Sequence, residues 1–247
     1  MEENFREILT GGQSFSWTEE EDGVFSAVLN DKVYRLGSLE DAKDDPFLRS
    51  YFDLDYDYEK AMHEIAAKDS ILREAVETVG PMRILNQDHF TTVISFILSQ
   101  NNNIGRITGL YRTLSRNYGH EVEPGYFSFP TPEELSKATE EDFRALRTGF
   151  RAPFLVDAVK HADLYKEIET MSFDDAMAAL QTVKGIGPKV ASCILIFGYQ
   201  RREGFPMDVW MNKVMKNYYP GTDASYFAPY EALAQQYLFS WIRAKGE

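Results

Sequence analysis

The chain has 247 residues, 44% hydrophobic and 26% charged, with a formal net charge of −13, enough to bury a full core in one large domain or a few small ones. No apolar stretch approaches the roughly 18 residues of a membrane span, and the opening "MEENFREILTGG" lacks the basic start and apolar centre of a secretory signal, so a cytoplasmic protein with no membrane partner is expected. Its one cysteine, Cys193, excludes intrachain disulfides and a four-cysteine iron–sulfur cluster, and the scattered His63, His89, His120 and His161 offer no metal-ligand spacing.

Residues 12–36 alternate apolar and polar positions around Asp22-Gly23 and Asn30-Asp31, the pattern of antiparallel strands joined by tight turns. From about residue 57 the period changes. Residues 57–78 and 88–100 read as helices with apolar faces, and further helices are predicted at 103–117, 152–168, 173–182, 188–199, 208–218 and 228–243. "TPEEL" (131–135) and "TEEDF" (139–143) fit capping boxes, Thr131 with Glu134 and Thr139 with Asp142 in place of the usual Glu. The fold class is therefore α+β, a short β region followed by a mostly helical body.

Within "TVKGIGPKVASC" (182–193), Pro188 suits a first helical turn, where its missing N–H has no partner to lose, and Gly185 and Gly187 allow a tight turn with exposed amides. The stretch reads as helix, tight turn, helix, with Lys189 on the first turn of the second helix. A surface lysine beside a routine turn has the same sequence. The first 60 residues carry net −10, whereas residues 181–220 carry +4 from Lys184, Lys189, Arg201, Arg202, Lys213 and Lys216 against Glu203 and Asp208. Local field, not total charge, governs contact with phosphates, although an ordinary solvated face has this composition too.

Asp208 follows Lys189 by 19 residues, in "GFPMDVWM", at the expected N-cap of the next helix. An aspartate is favoured there simply as a cap. Two consecutive helix starts can also aim Lys189 and Asp208 into one cleft. A lysine amine must be neutral to attack carbon, and an unperturbed one, with pKa ~10.4, is almost wholly protonated at neutral pH. Partial burial favours the free amine, and a nearby carboxylate can take its proton or stabilise positive charge developing on a sugar. A lysine that attacks in this way ends as a Schiff base.

"LQTVKGIGPKVASCILIFGYQRREGFPMDVWM" (180–211) resembles the helix-hairpin-helix and Gly/Pro-and-Asp segment of the DNA glycosylase superfamily. Within it the chain resembles the 8-oxoguanine DNA glycosylases. "GGQSFSW" (11–17), "SFILSQNNNIGRITGLY" (95–111), "TGFRAPFL" (148–155) and "AQQYLFS" (234–240) match that family in order across nearly the whole length. The resemblance implies an N-terminal antiparallel β domain (1–79) and two mostly helical domains with a cleft between them. One is formed by 80–96 and 189–247 and carries the catalytic pair and lesion pocket; the other, 97–188, ends in the hairpin.

The resemblance further implies a bifunctional glycosylase and abasic-site lyase that excises 8-oxoguanine opposite cytosine from double-stranded DNA. Such an enzyme is expected to act as a monomer, associated with a bacterial nucleoid. Lys189 is implied to be the nucleophile toward C1′ and Asp208 the assisting carboxylate. Gly12, Cys193, Gln235 and Phe239 are implied to form the lesion pocket. In it, Gly12 offers its carbonyl to the N7–H that guanine lacks, Gln235 bonds the Watson–Crick edge, and Cys193 and Phe239 sandwich the ring. Asn101 is implied to fill the hole left by a flipped base, Arg106 and Arg151 to read the widowed cytosine, and Phe150, at a position usually held by tyrosine, to wedge the stack. Gly185, Gly187 and Lys184 are implied to hold a DNA phosphate. No cofactor is required, but the carbonyls of Gln181, Val183 and Ile186 match positions that coordinate a structural sodium or potassium ion.

Each residue has a plainer reading: Asn101 as a helix cap, Arg106 and Arg151 as solvated helix charges, Phe150, Cys193 and Phe239 as core. Trp210 departs from the animal enzymes, which have a phosphate-contacting histidine there. The alternatives are a monofunctional glycosylase for alkylated bases, against which Lys189 speaks, and a catalytically silent helix-hairpin-helix DNA-binding module, for which the Lys189–Asp208 pair and the pocket segments would be coincidental.

Overall fold

The computed structural model describes residues 4–246. Helix α1 (Phe5–Thr10) starts at Asn4, whose side chain accepts the Glu7 N–H, and buries Phe5, Ile8 and Leu9. An irregular stretch then leads into a three-stranded antiparallel sheet in sequential order, β1 (Thr18–Glu19), β2 (Phe25–Leu29) and β3 (Lys32–Leu36). Leu29 pairs with Lys32, so Asn30 and Asp31 make the two-residue turn, with φ of 48° and 56°. Asn and Asp tolerate that left-handed geometry, as the sequence pattern requires. The sheet begins later than residue 12, because residues 11–17 are held by tertiary hydrogen bonds rather than by strand pairing. Helix α2 (Pro46–Tyr51), with Asp45 as N-cap, closes a small core of Phe5, Trp17, Phe25, Tyr34, Tyr51 and Phe52.

The helix expected over 57–78 is two, α3 (Tyr58–Lys68) and α4 (Ser70–Val79). Asp69 is extended (φ −159°, ψ 175°), and its carboxylate accepts the N–H groups of Ile71 and Leu72. An aspartate that can bond to nearby amides favours a cap over a helix interior. Helices α5 (His89–Ser99) and α6 (Ile104–Tyr118) follow, then a short hairpin of β4 (Glu121–Glu123) and β5 (Tyr126–Phe127). Both capping boxes form, at the starts of α7 (Pro132–Leu135) and α8 (Glu140–Ala145). The helix expected over 152–168 stops early: α9 (Ala152–Lys160) ends at His161 and α10 (Leu164–Glu167) resumes after a turn.

The remaining helices are α11 (Phe173–Leu180), α12 (Pro188–Tyr199), α13 (Val209–Tyr218) and α14 (Glu231–Lys245). From Val190 to Gly198 every residue of α12 is buried, so the helix is apolar all round and runs through the middle of the body. It packs against α5 and α11, while α14 packs against α4 and α13. One continuous core threads all of these helices. The α+β class and the mostly helical body agree with the sequence expectation. Among the described residues, no helix is long and apolar enough to cross a membrane.

Candidate active site

The turn between α11 and α12 is tight for a reason visible in its neighbours. Gly185 has φ +86°, and a Cβ there would lie 2.4 Å from the Phe154 ring of α9, so only glycine lets the chain pass. The Lys184 N–H donates to the Asp157 carboxylate of the same α9 at 2.7 Å, which pins the hairpin to that helix. Gly187 is extended (φ −93°, ψ 178°), has open space where a Cβ would be, and caps α12 without a side-chain acceptor. The first amides of α12 are thus free to meet an anion, at the positive end of a 12-residue helix.

Lys189 stands one position past Pro188, half-buried, with its amine 5.8 Å from the centre of the Phe96 ring on α5. Asp208 is the N-cap of α13, its carboxylate accepting the Met211 N–H at 2.8 Å. Capping uses one carboxylate oxygen and leaves the other available. Both charges bear on the buried Cys193, one helical turn beyond Lys189. Burial pushes the Cys193 thiol up, the Lys189 charge and hydrogen bond oppose that shift, and the Asp208 charge reinforces it. Two helix starts that are 19 residues apart in sequence therefore act on the same sulfur.

The segments matched to the lesion pocket make hydrogen bonds and ring contacts with one another and with the flanks of this pair. Gln235, buried in α14, donates to the carbonyl of Pro206, two residues before Asp208, at 3.3 Å and accepts from the Gln236 side chain at 2.7 Å. Phe239, one turn later and half-buried, lies under the Arg243 guanidinium at 5.0 Å, and Arg243 donates to the Gly11 carbonyl at 2.7 Å. Gly12 follows with φ +118°, and a Cβ added there would come within 3.5 Å of Ile104, which opens α6. Phe15, three residues on, packs edge-on against Phe96, the ring beneath Lys189. These contacts link Gln235 to the segment before Asp208, Phe239 to Gly11, and Phe15 to the ring beside Lys189.

A second group lies on the loop between α5 and α6. Asn101 is exposed and left-handed, with φ 47°, and the cap of α6 is Asn103 instead. Arg151 is 3% exposed, which rules out a solvated charge: its guanidinium donates to the carbonyls of Gln100 at 2.9 Å, Asn101 at 3.0 Å and Thr148 at 3.2 Å. Burial and then the nearby Arg106 charge push the Arg151 guanidinium below its ordinary value. Arg106 itself is exposed, with a long 3.4 Å hydrogen bond to the Arg147 carbonyl. Phe150 is 48% exposed and not core; it stacks against the Arg151 guanidinium at 4.4 Å. Met207 and Val209, which flank Asp208, are exposed as well, Val209 at 73%.

Two family models together span residues 1–235. Residues 1–93 match the N-terminal domain of 8-oxoguanine DNA glycosylase, and residues 94–235 match the HhH-GPD superfamily of base excision DNA repair proteins. The chain belongs to the 8-oxoguanine DNA glycosylase family. A probable N-glycosylase/DNA lyase of Methanothermobacter thermautotrophicus is 31% identical over 232 residues, 79% of this chain and 73% of the relative. An N-glycosylase/DNA lyase of Saccharomyces cerevisiae is 34% identical over 157 residues, 56% of this chain but only 42% of the yeast protein's length. The chain is also similar to the solved 8-oxoguanine glycosylase/lyase of Clostridium acetobutylicum in complex with double-stranded DNA containing cytosine opposite 8-oxoG. That likeness has 30% identity and a TM-score of 0.88, and covers 99% of this chain and 93% of the other.

In this glycosylase the carbonyls of Gln181 and Ile186 accept no hydrogen bond from any described residue, and that of Val183 accepts the Ile186 N–H at 3.1 Å. Uncommitted carbonyl oxygens on one turn suit a hard monovalent cation. A cavity of about 620 Å³ opens elsewhere, between the sheet and the α5–α6 region, and is lined by Phe15, Tyr51, His89 and Tyr111; none of Lys189, Asp208, Cys193, Gln235 or Phe239 lines it. Sequence reasoning missed Phe96, Arg243 and Gln236. Phe96 and Gln236 lie inside the matched segments 95–111 and 234–240 but have no signal of their own, and the bond of Arg243 to Gly11 spans 232 residues.

Proposed function

We propose that this protein excises 8-oxoguanine from duplex DNA with Lys189 as nucleophile and then cleaves the abasic strand by β-elimination. The half-buried Lys189 in the first turn of α12, with Asp208 capping the start of α13, carries the reading. The Lys189 Nζ lone pair attacks C1′, the C1′–N9 bond breaks and its electrons leave with the base, which takes up a proton. Asp208 stabilises positive charge developing on the sugar and accepts protons from the amine. The sugar opens to a Schiff base on Lys189. Loss of a C2′ proton then expels the 3′ phosphate, and water hydrolyses the imine to return the lysine. No redox partner enters this sequence.

The base must leave the stack to reach this site. Gly12 and Gln235 are read as its polar partners, Cys193 and Phe239 as the faces above and below. Asn101 and the exposed Phe150 fill and wedge the gap, and Arg106 and Arg151 test the partner base. The amides around Gly185 and Gly187, with Lys184, hold a backbone phosphate. A sodium or potassium ion would be held by the carbonyls of Gln181, Val183 and Ile186 and would supply positive charge to the hairpin. A monofunctional alkylated-base glycosylase or a silent DNA-binding module has no use for a lysine at this point.

Borohydride trapping on a duplex with one 8-oxoguanine opposite cytosine tests the reading. Wild type is expected to form a covalent complex, and Lys189→Gln to lose both that complex and base release while still binding the lesion duplex. Trapping retained in Lys189→Gln would place the nucleophile elsewhere.

A further inference from the structure

The segment before β1 contains three consecutive carbonyls with different fates. That of Gly11 accepts the Arg243 guanidinium at 2.7 Å. That of Gln13 accepts the Gln87 side-chain N–H at 2.7 Å. Between them the Gly12 carbonyl accepts no hydrogen bond from any described residue. Gly12 itself is half-buried between the buried Gly11 and Gln13, so its open carbonyl, held between two that are fixed, is accessible to a donor on a ligand.

The fixing is elaborate. Gln13 is 2% exposed, and its carboxamide is used at both ends: the N–H donates to the Arg83 carbonyl at 2.8 Å and the oxygen accepts the Leu85 N–H at 3.1 Å. This pairing imitates a strand bridge and locks Gln13 against residues 83–85. Gln87 continues the chain of contacts. Its side chain holds the Gln13 carbonyl while its own backbone N–H donates to the Phe197 carbonyl at 2.9 Å. Phe197 lies on α12, the helix that carries Lys189 and Cys193. Gly12 is held with φ +118°, a conformation that L side chains rarely adopt, so its peptide does not find this orientation unaided.

We propose that Gln13 and Gln87 are positioning residues that set the Gly12 carbonyl in register with the Lys189 helix, and thereby set how strongly a base with an N7–H is preferred. The proposal rests on the reading of Gly12 as the carbonyl that tests the flipped base. Neither glutamine touches substrate. Gln13 orients the peptide locally, and Gln87 couples it to the helix that reacts. Loosening the clamp leaves the nucleophile intact and blurs the test that precedes it, since a shift of about 1 Å in a positioning group can cost roughly a hundredfold in rate.

The experiment compares two substrates in the full-length enzyme under single-turnover conditions: a duplex with 8-oxoguanine opposite cytosine, and the same duplex with a preformed abasic site, which has no base for Gly12 to test. Gln87→Leu removes the donor to Gln13. Gln87→Glu removes it while keeping the side chain's length and polarity, which guards against a variant that fails to fold. Both are expected to slow 8-oxoguanine excision about tenfold or more, with abasic-strand cleavage within threefold of wild type. Equal losses on the two substrates would reduce Gln87 to a structural role and overturn the proposal, as would no loss on either. Wild type without 8-oxoguanine excision would overturn the functional reading and the clamp together, whereas wild-type excision with an unchanged ratio in both variants overturns the clamp alone.

Discussion

Arg106 and Arg151 belong to the same expected role and sit in opposite environments, so replacing each by alanine separates recognition from folding. Arg151 spends three nitrogens on the carbonyls of Gln100, Asn101 and Thr148 from a site 3% exposed. Hydrogen bonds from a charged donor are worth about 1.5–3 kcal/mol each. Two of these three carbonyls lie on a loop that can regain water, so Arg151→Ala is expected to cost about 3 kcal/mol of stability. The left-handed Asn101 backbone, held at φ 47° by this guanidinium, loosens with it. Arg106 is exposed and its one hydrogen bond is 3.4 Å long, so Arg106→Ala is expected to stay within about 0.5 kcal/mol of wild type. In recognition the two should behave alike. A widowed cytosine offers O2 and N3 as acceptors, whereas adenine puts an amino donor on the same edge. A good base contact is worth about 1–3 kcal/mol against the wrong base, and 1.4 kcal/mol is about tenfold. Wild type should therefore prefer cytosine over adenine by at least about tenfold, and each alanine variant should lose most of that preference. Denaturant unfolding and single-turnover excision opposite all four bases measure the two effects separately. Full preference retained in Arg106→Ala would refute the reasoning, because that variant loses nothing else.

Asp208→Asn should fold nearly as well as wild type, within about 0.5–1 kcal/mol, since asparagine caps helices comparably and only the charge toward the dipole is lost. Its excision rate should fall steeply; an unfolding midpoint that drops in step with the rate would make capping the whole role of Asp208. Gly185→Ala combines a left-handed φ, costing about 1–2 kcal/mol, with a Cβ placed 2.4 Å from the Phe154 ring, for which overpacking adds about 1–3 kcal/mol. Affinity for any duplex, damaged or not, should drop with it; unchanged affinity measured by fluorescence anisotropy would remove the hairpin from the DNA contact.

The helix starts that carry Lys189 and Asp208, the proposed catalytic pair, were legible in sequence because their signals are local. Gly-x-Gly-Pro marks the turn, an apolar run marks the helix, and an aspartate ahead of "VWM" marks the next start. The strand turn at Asn30-Asp31 and the boxes at Thr131 and Thr139 were legible for the same reason. The break at Asp69 carried a cap signal too, but it lay inside an apolar period that continues on both sides, and periodicity alone joins the two helices. The break after Lys160 has neither glycine nor proline to announce it. Arg151 shows the opposite failure. By residue type it reads as a solvated charge, and only the carbonyls of residues 100 and 101, fifty positions away, give it a reason to be buried. The pocket walls are harder still. Phe239 is joined through Arg243 to Gly11, the neighbour of Gly12, by a bond spanning 232 residues, and no local pattern encodes such a pairing. For those residues the family resemblance supplied what spacing did not.

A chain of net −13 that meets DNA looks contradictory until the acids are followed to their partners. Many in the first 60 residues are occupied in local structure. Asp45 caps α2 and pairs with Lys32 at 3.0 Å, Asp57 caps α3, Asp41 closes a capping box at Ser38, Glu40 pairs with Lys43 at 2.6 Å, and Arg49 pairs with Asp55. Such carboxylates face helix amides or cations, so their field beyond about 8–10 Å is both compensated and screened. The start of α12 lacks such a carboxylate: Gly187 caps the helix without a side-chain acceptor, and although Arg202 pairs with Asp53, the six cations of 181–220 outnumber the two acids within that segment. Charge that caps helices serves the fold, and charge left uncapped at a helix start serves the ligand. The sign of the whole chain is then a poor guide to its partner, and the sign at α12 is the informative one.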